Sequence, residues 1–283
     1  MATSRPGRGG WSIALLGLLL ATASAAAAPQ EKFQVDPAIF RLEDRPFQGL
    51  PFLGQVALLD ELGDPLDWQG LLGRPVILVP GYYTCEAKCS SMAMSLKELQ
   101  KGVGGLTAGE DYTVLSLSFD HTDSVASLNV FRQFLKLPRE QERAWRFALF
   151  AQPDRIVPEL ARLGYRFVWS PEERTFYHPT VMMIFTPEGR VARYLDIFSI
   201  TPRDIQLALL EAAQHGEFRL SRLPDSLLVA LHRFNEREGR YEWRGDGLLL
   251  GGTALLAGAA GWLLLRRRRR PVSPPPPPVA PEA

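Results

Sequence analysis

Apolar positions between residues 55 and 216 fall into short β-branched runs separated by longer stretches of helical period. Val76-Ile77-Leu78-Val79 is uninterrupted, as a central strand buried on both faces requires. Before it, Gln55 to Leu59 alternates apolar and polar residues, and the turn formers from Asp60 to Pro65 predict a small hairpin that ends before Leu71. After it, the turn Pro80-Gly81 and the capping residue Thr84 open a predicted helix that starts with Cys85. That helix continues through Met92, Met94, Leu96 and Leu99 to a stop at Gly102.

The pattern then repeats, with a predicted strand over Tyr112 to Phe119, a helix from about Thr122 to Leu135, a strand near Phe147 to Phe150, and a helix from Pro153 to Leu163 that stops at Gly164. Val181 to Phe185 and Val191 to Ile197, joined by Thr186-Pro187-Glu188-Gly189, predict a hairpin. Thr201-Pro202-Arg203-Asp204 opens a last helix that closes at Gly216. A βα alternation ending in a hairpin and a helix implies the α/β class, a mixed sheet covered by helices on both faces.

Two apolar segments lie outside this region. Arg5 and Arg8, the apolar run from Trp11 to Ala21 and the small residues Thr22 to Ala28 have the layout of a secretory signal peptide, with cleavage expected one to three residues before the Ala28–Pro29 bond. No cysteine follows that run, so a lipid anchor there is not indicated. Leu248 to Leu265 carries no charge, is long enough to cross a hydrocarbon core of about 30 Å, and is followed by the arginine block Arg266 to Arg270. Cleaved signal and stop-transfer segment together predict a single-pass protein of the cell membrane. Its main domain is then periplasmic or otherwise extracytoplasmic, and its proline-rich C-terminus cytoplasmic. Small residues at Ala254, Gly258 and at Ala257, Gly261 have the spacing that lets two such helices pack as a weak homodimer.

The divisions expected are a signal peptide over 1–28, a linker over 29–46, the α/β domain over 47–216, a juxtamembrane segment over 217–246 that serves as spacer or docking surface, a membrane helix over 247–265, and a cytoplasmic tail over 266–283. A net charge of +1 provides no basic field for phosphates, so nucleic acid is excluded as a partner.

The chain has two cysteines, Cys85 and Cys89, four apart. On a helix they share one face, roughly 5 to 6 Å apart, close enough to hold one metal ion or to close a disulfide. A helix N-terminus favours a thiolate at Cys85, which Lys88 reinforces and Glu86 opposes. A disulfide over so short a loop would add little stability by chain entropy.

A cysteine pair directly after the first buried strand is a thioredoxin-like arrangement. The chain here resembles the Sco/SenC family of thioredoxin-fold copper chaperones, whose motif is CxxxC plus a distant histidine. Cys85 and Cys89 match the thiols, and His178, followed after a strand by Pro187-Glu188-Gly189, matches the histidine. The segment Leu58 to Cys89 and the acidic stretch Ser118 to Asp123 also resemble the family, over roughly Phe47 to Gly216. The chain departs from it at Glu86 and Ser90, where prolines are frequent, at Pro179, and in the C-terminal position of its anchor.

The resemblance implies a thioredoxin-like sheet and a copper site of Cys85, Cys89 and His178. It also implies a copper-bearing subunit of a haem-copper oxidase as acceptor, with a thiol reductase or another copper donor as further partner. Two thiolates and an imidazole suit Cu(I), and Cu(II) through the nitrogen; zinc fits the same ligands. The alternative is a thiol-disulfide oxidoreductase in which Cys85 and Cys89 are the redox-active pair. A third reading is a redox sensor or interaction protein in which neither metal nor turnover matters. His121 reads as a histidine beside a helix cap, His215 and His232 as histidines of helical or juxtamembrane surface, Met182 and Met183 as strand residues of which at least one fills the core, and Met92 and Met94 as helix residues within a turn of the cysteines.

Overall fold

The computed structural model describes residues 35–40, 45–51, 56–84, 90–214, 228–236, 238–245 and 262. The chain divides into units 1–35 and 36–283, and all described residues but Val35 belong to the second. Cys85, Cys89, His215, the signal segment, the arginine block and the candidate membrane segment, Trp262 excepted, lie outside the described residues. No helix among the described residues is long and apolar enough to cross a membrane.

In chain order the elements are β1 (Leu58–Leu59), β2 (Pro65–Leu66), β3 (Val76–Gly81), α1 (Ser90–Gln100), β4 (Thr113–Ser118), α2 (Val125–Leu135), the single-turn α3 (Arg139–Glu142) and β5 (Trp145–Phe150). There follow α4 (Ile156–Arg162), β6 (Val168–Ser170), β7 (Thr175–Tyr177), β8 (Val181–Phe185), β9 (Val191–Asp196), α5 (Pro202–Gln214), β10 (His232–Asn235) and β11 (Arg240–Trp243).

The main sheet has the order β2-β1-β5-β4-β3-β8-β9. β3, β4 and β5 run parallel, while β8 is antiparallel to β3 and to β9. The inner four, β4-β3-β8-β9, make the thioredoxin-like sheet. Pairing of β3 with β8 stops at Leu78, two residues before Pro80, which has no N–H to give to a ladder.

Alternation sorts β3 between two cores. Ile77 and Val79 face a cluster with Leu96 of α1, Leu128 of α2 and Ile205 of α5, while Val76 and Leu78 face one with Ile156 and Leu160 of α4. Met182 and Met183 divide in the same way, so both are core residues with no exposed surface. Within the first cluster the polar ends of large side chains are paired. Trp145 Nε1 donates to Gln100 Oε1 at 2.8 Å, and Gln100 Nε2 donates to the Tyr112 hydroxyl at 3.1 Å.

Four features differ from the sequence expectation. Helix α2 begins at Val125, not Thr122, because Thr122 is held in a turn by Asp120, and Ser124 and Ser127 form a capping box. The expected helix from Pro153 opens as a 3₁₀ turn, Pro153–Arg155. The hairpin β6–β7 and helix α3 have no counterpart in the periodicity. The described part of the juxtamembrane segment is a hairpin, β10–β11, fastened to α5 and β9: Tyr241 N donates to Asp204 Oδ1 at 2.7 Å, the Tyr241 hydroxyl bonds Glu211, and the Arg193 guanidinium of β9 lies 5.1 Å from the Phe234 ring centre. His232 is accordingly a half-buried strand residue, its Nδ1 2.8 Å from the Leu228 carbonyl.

Gly164 ends the turn after α4 at φ +74°, and a Cβ there would overlap the Phe47 ring. Gly164→Ala is therefore expected to lower stability by about 2 kcal/mol through backbone strain and overlap together, read as a fall in thermal midpoint. An unchanged midpoint would show that Phe47 does not pack against that turn.

Candidate functional site

Parallel pairing of β3 and β4, with β8 antiparallel beside β3, brings the C-terminal ends of β3 and β4 and the entry to β8 to one edge of the sheet. This is the end at which open α/β sheets present ligands. Residues 82–84 leave β3 there and lead directly into Cys85; residues 119–124 leave β4 there; His178 follows β7 directly and stands three residues before β8.

His178 is part-buried among aromatic rings. Its ring centre is 5.2 Å from that of Phe119, 6.3 Å from Tyr82 and 6.2 Å from Tyr165. Tyr82 stands three residues before Cys85, so the structure brings the chain that carries the first cysteine against His178 from more than ninety residues away in sequence. Cys85 and Cys89 themselves lie outside the described residues, and the ligand set as a whole is assessed below as a proposal.

The proton on the imidazole follows from its neighbours. Nδ1 lies 2.9 Å from the Pro179 carbonyl oxygen and 2.9 Å from the Tyr165 hydroxyl, which is itself 3.3 Å from that carbonyl. A bare Nδ1 would set lone pair against lone pair at the carbonyl, so we assign the hydrogen to Nδ1, which donates to Pro179 O. The lone pair is then on Nε2, which makes no hydrogen bond among the described residues. A histidine that donates one N–H to a backbone carbonyl and keeps the other nitrogen bare is oriented as metal-ligating histidines are. Burial lowers the His178 pKa from its ordinary 6.5, partly offset by the bond to Pro179, so the ring stays neutral below that value.

On the other side, the loop after β4 grips the lead-in to Cys85. Tyr83 N donates to Asp123 Oδ2 at 2.6 Å, and the same oxygen accepts from the Ser118 hydroxyl at 2.6 Å. Asp123 Oδ1 accepts from the Ser127 hydroxyl at 2.9 Å. The Thr84 hydroxyl donates to Asp120 Oδ2 at 3.3 Å, and Asp120 Oδ1 accepts from both N and Oγ1 of Thr122 at 2.8 Å. Burial raises the Asp123 pKa although each of these bonds lowers it. The Tyr83 hydroxyl, buried beneath the site, donates to the Ser116 and Ala148 carbonyls at 2.8 and 3.1 Å, and burial drives its pKa up.

Sequence reasoning pointed to the stretch Ser118 to Asp123 but not to the grip it exerts. It missed Tyr82, Phe119 and Tyr165 as the walls of the histidine pocket, because aromatic residues at strand ends carry no signal that separates a site from a core. Met92 is 3 % exposed and packed in the first core cluster, with Met94 partly buried beside it, so core filling accounts for both.

No family model matches the chain, and no curated protein matches its sequence. Among solved structures, a protein from Aquifex aeolicus VF5 provisionally assigned to electron transfer is similar with a TM-score of 0.53 at 23% identity, over 62% of this chain and 99% of its own. BsSco, a member of the Sco family of cytochrome c oxidase assembly proteins, is similar with a TM-score of 0.49 at 21% identity, over 60% and 95%. ScoI from Bradyrhizobium japonicum, solved with copper bound, follows with 0.45 at 16%, over 58% and 99%.

Two measurements test this geometry. Asp123→Ala removes an acceptor of three hydrogen bonds and should lower stability by about 1–3 kcal/mol, while Asp123→Asn, which keeps an acceptor and sheds the buried charge, should cost less; equal losses would contradict the grip. The depressed His178 pKa means the unfolded chain takes up the proton first as pH falls below 6.5, so stability falls through that window and levels below the folded value. His178→Ala should flatten that slope in denaturant midpoints compared between neutral pH and about pH 5; an unchanged slope would show that the histidine is not buried as described.

At these identities the likeness is one of fold: the chain has a thioredoxin-like mixed α/β sheet flanked by helices, and the protein from Aquifex aeolicus VF5 is similar to it in fold.

Proposed function

We propose that the protein is a membrane-anchored copper metallochaperone that binds copper through Cys85, Cys89 and His178 and helps to fill the copper centre of a haem-copper oxidase. One observation carries the reading: the His178 imidazole is held neutral with Nε2 bare, against the Tyr82 that leads into Cys85. Two thiolates and one neutral imidazole make a soft, three-donor set suited to Cu(I), with a side left for a partner's ligand to approach. Neutrality of His178 below its ordinary pKa keeps that nitrogen available in a mildly acidic compartment. The apolar segment at 248–265 and its arginine block support an anchor that leaves the domain outside the cytosol. The oxidase acceptor rests on the resemblance to the Sco/SenC family.

A second reading, a thiol-disulfide oxidoreductase acting through Cys85 and Cys89, is supported by the sheet order, in which these residues follow the first strand of the thioredoxin-like four. The two differ in their need for His178.

The reduced full chain, loaded anaerobically, should hold one Cu(I). His178→Ala should weaken that binding by roughly tenfold or more and leave Cys85–Cys89 oxidation intact, while Cys85→Ser or Cys89→Ser should abolish both. Stoichiometric copper in Cys85→Ser would overturn the assignment. Absence of stable copper in the parent, with fast thiol-disulfide exchange, would move it to the oxidoreductase.

A further inference from the structure

The face of the β10–β11 ribbon that docks on the domain continues beyond the docked rung. In the ladder Phe234 stands opposite Tyr241 and His232 opposite Trp243, so these four side chains share one face, while Arg233 and Glu242 lie on the other. At the docked rung Tyr241 is fastened to Asp204 and Glu211 of α5, and the Arg193 guanidinium lies over Phe234. One rung on, the Trp243 ring meets His232 edge-on at 5.1 Å and is 55% exposed. Arg244 N donates to the Leu231 carbonyl at 2.8 Å, which closes the ribbon at this end.

A lone exposed indole is ordinary on a protein surface; what sets Trp243 apart is where the chain goes next. Leu248, the first residue of the apolar segment that runs into the arginine block, is five residues after Trp243. Fully extended, five residues span at most about 18 Å. With that segment in a bilayer, the end of the ribbon is held within this distance of the hydrocarbon boundary, and the headgroup layer fills the nearest ~5–7 Å of it. An indole, apolar in body with one N–H to give, is the side chain that this layer favours. Arg244, exposed and next in the chain, carries a guanidinium that suits a lipid phosphate. The other face of the ribbon sets Arg233 3.7 Å from Glu242, a pairing suited to water.

We propose, on the basis of the membrane-anchored reading above, that the free end of this ribbon is a lipid contact: Trp243 and Arg244 seat in the headgroup layer of a phospholipid bilayer while Phe234 and Tyr241 hold the domain. The juxtamembrane segment is then a bracket instead of a loose spacer. A flexible tether of the same length would let the domain turn freely above the membrane. The bracket holds it at one distance and in one orientation, so that the edge carrying His178 is presented to a membrane-embedded partner in the same way at each encounter.

The test uses the full chain in phosphatidylcholine nanodiscs, with and without lipid that carries a nitroxide on its headgroup, in a Trp11→Phe, Trp262→Phe background that removes the indoles of the two apolar segments. The nitroxide should quench part of the tryptophan fluorescence, and Trp243→Phe should remove most of that quenching. Hydrogen exchange in the same discs should show the amides of residues 232–243 slow in the parent and roughly tenfold or more faster in Tyr241→Ala, which loses its hold on Glu211. Quenching that persists unchanged in Trp243→Phe overturns the lipid contact. Fast exchange of the hairpin in the parent overturns the bracket, since Trp243 would then ride on a loose tether. In either case a chain retained in the discs leaves the anchor standing, whereas a chain that does not enter them overturns the anchored reading and this inference with it.

Discussion

Strand direction at the centre of the sheet is the constraint on which the site depends. Because β3 is parallel to β4 on one side and antiparallel to β8 on the other, the chain leaves β3 and β4 at the same edge at which it enters β8. Residues 82–84, 119–124 and 178 meet there although they are far apart in sequence. The remaining strands are replaceable in this respect: β5 extends the parallel set and β9 closes the antiparallel one, but neither brings a candidate ligand to the edge. Burial of β3 on both faces, with Val76 to Leu78 fully enclosed, makes this arrangement costly to slip, since a shift of one residue would exchange the two cores.

Around that edge the protein combines two kinds of support with different chemistry. An apolar wall of Tyr82, Phe119 and Tyr165 desolvates His178 and keeps it neutral, while the Pro179 carbonyl selects the nitrogen that carries hydrogen. Carboxylates of Asp120 and Asp123 hold the backbone that enters the cysteine segment, each filling its lone pairs with local donors. Neither carboxylate needs to touch a metal to matter. Their work is to position the chain that carries the thiols, at the expense of a buried charge on Asp123.

The α/β order was legible because its main elements are long enough to show a period: the runs at 76–79, 113–118 and 181–185 and the helical faces at 125–135 and 202–214 carry their own pattern. The hairpin β6–β7 was not, since three-residue strands are too short to alternate. Nor was β10–β11, whose charged residues Arg233, Glu236, Arg240 and Glu242 mask the two aromatics, Phe234 and Tyr241, that dock it. That docking depends on Asp204, Glu211 and Arg193, whose partnership no local pattern announces. Of the candidate site, the cysteine pair stood out by its rarity and spacing. His178 was one histidine of four until the family resemblance singled it out, and only the fold places Tyr82 beside it.

Copper held as proposed needs His178 as a ligand beside two thiolates. X-ray absorption at the copper edge of the Cu(I)-loaded full chain counts the donors directly. Two sulfurs and one imidazole nitrogen about each copper are predicted, with the nitrogen contribution lost in His178→Ala. A site of sulfur donors alone in the parent, unchanged by that substitution, would contradict it.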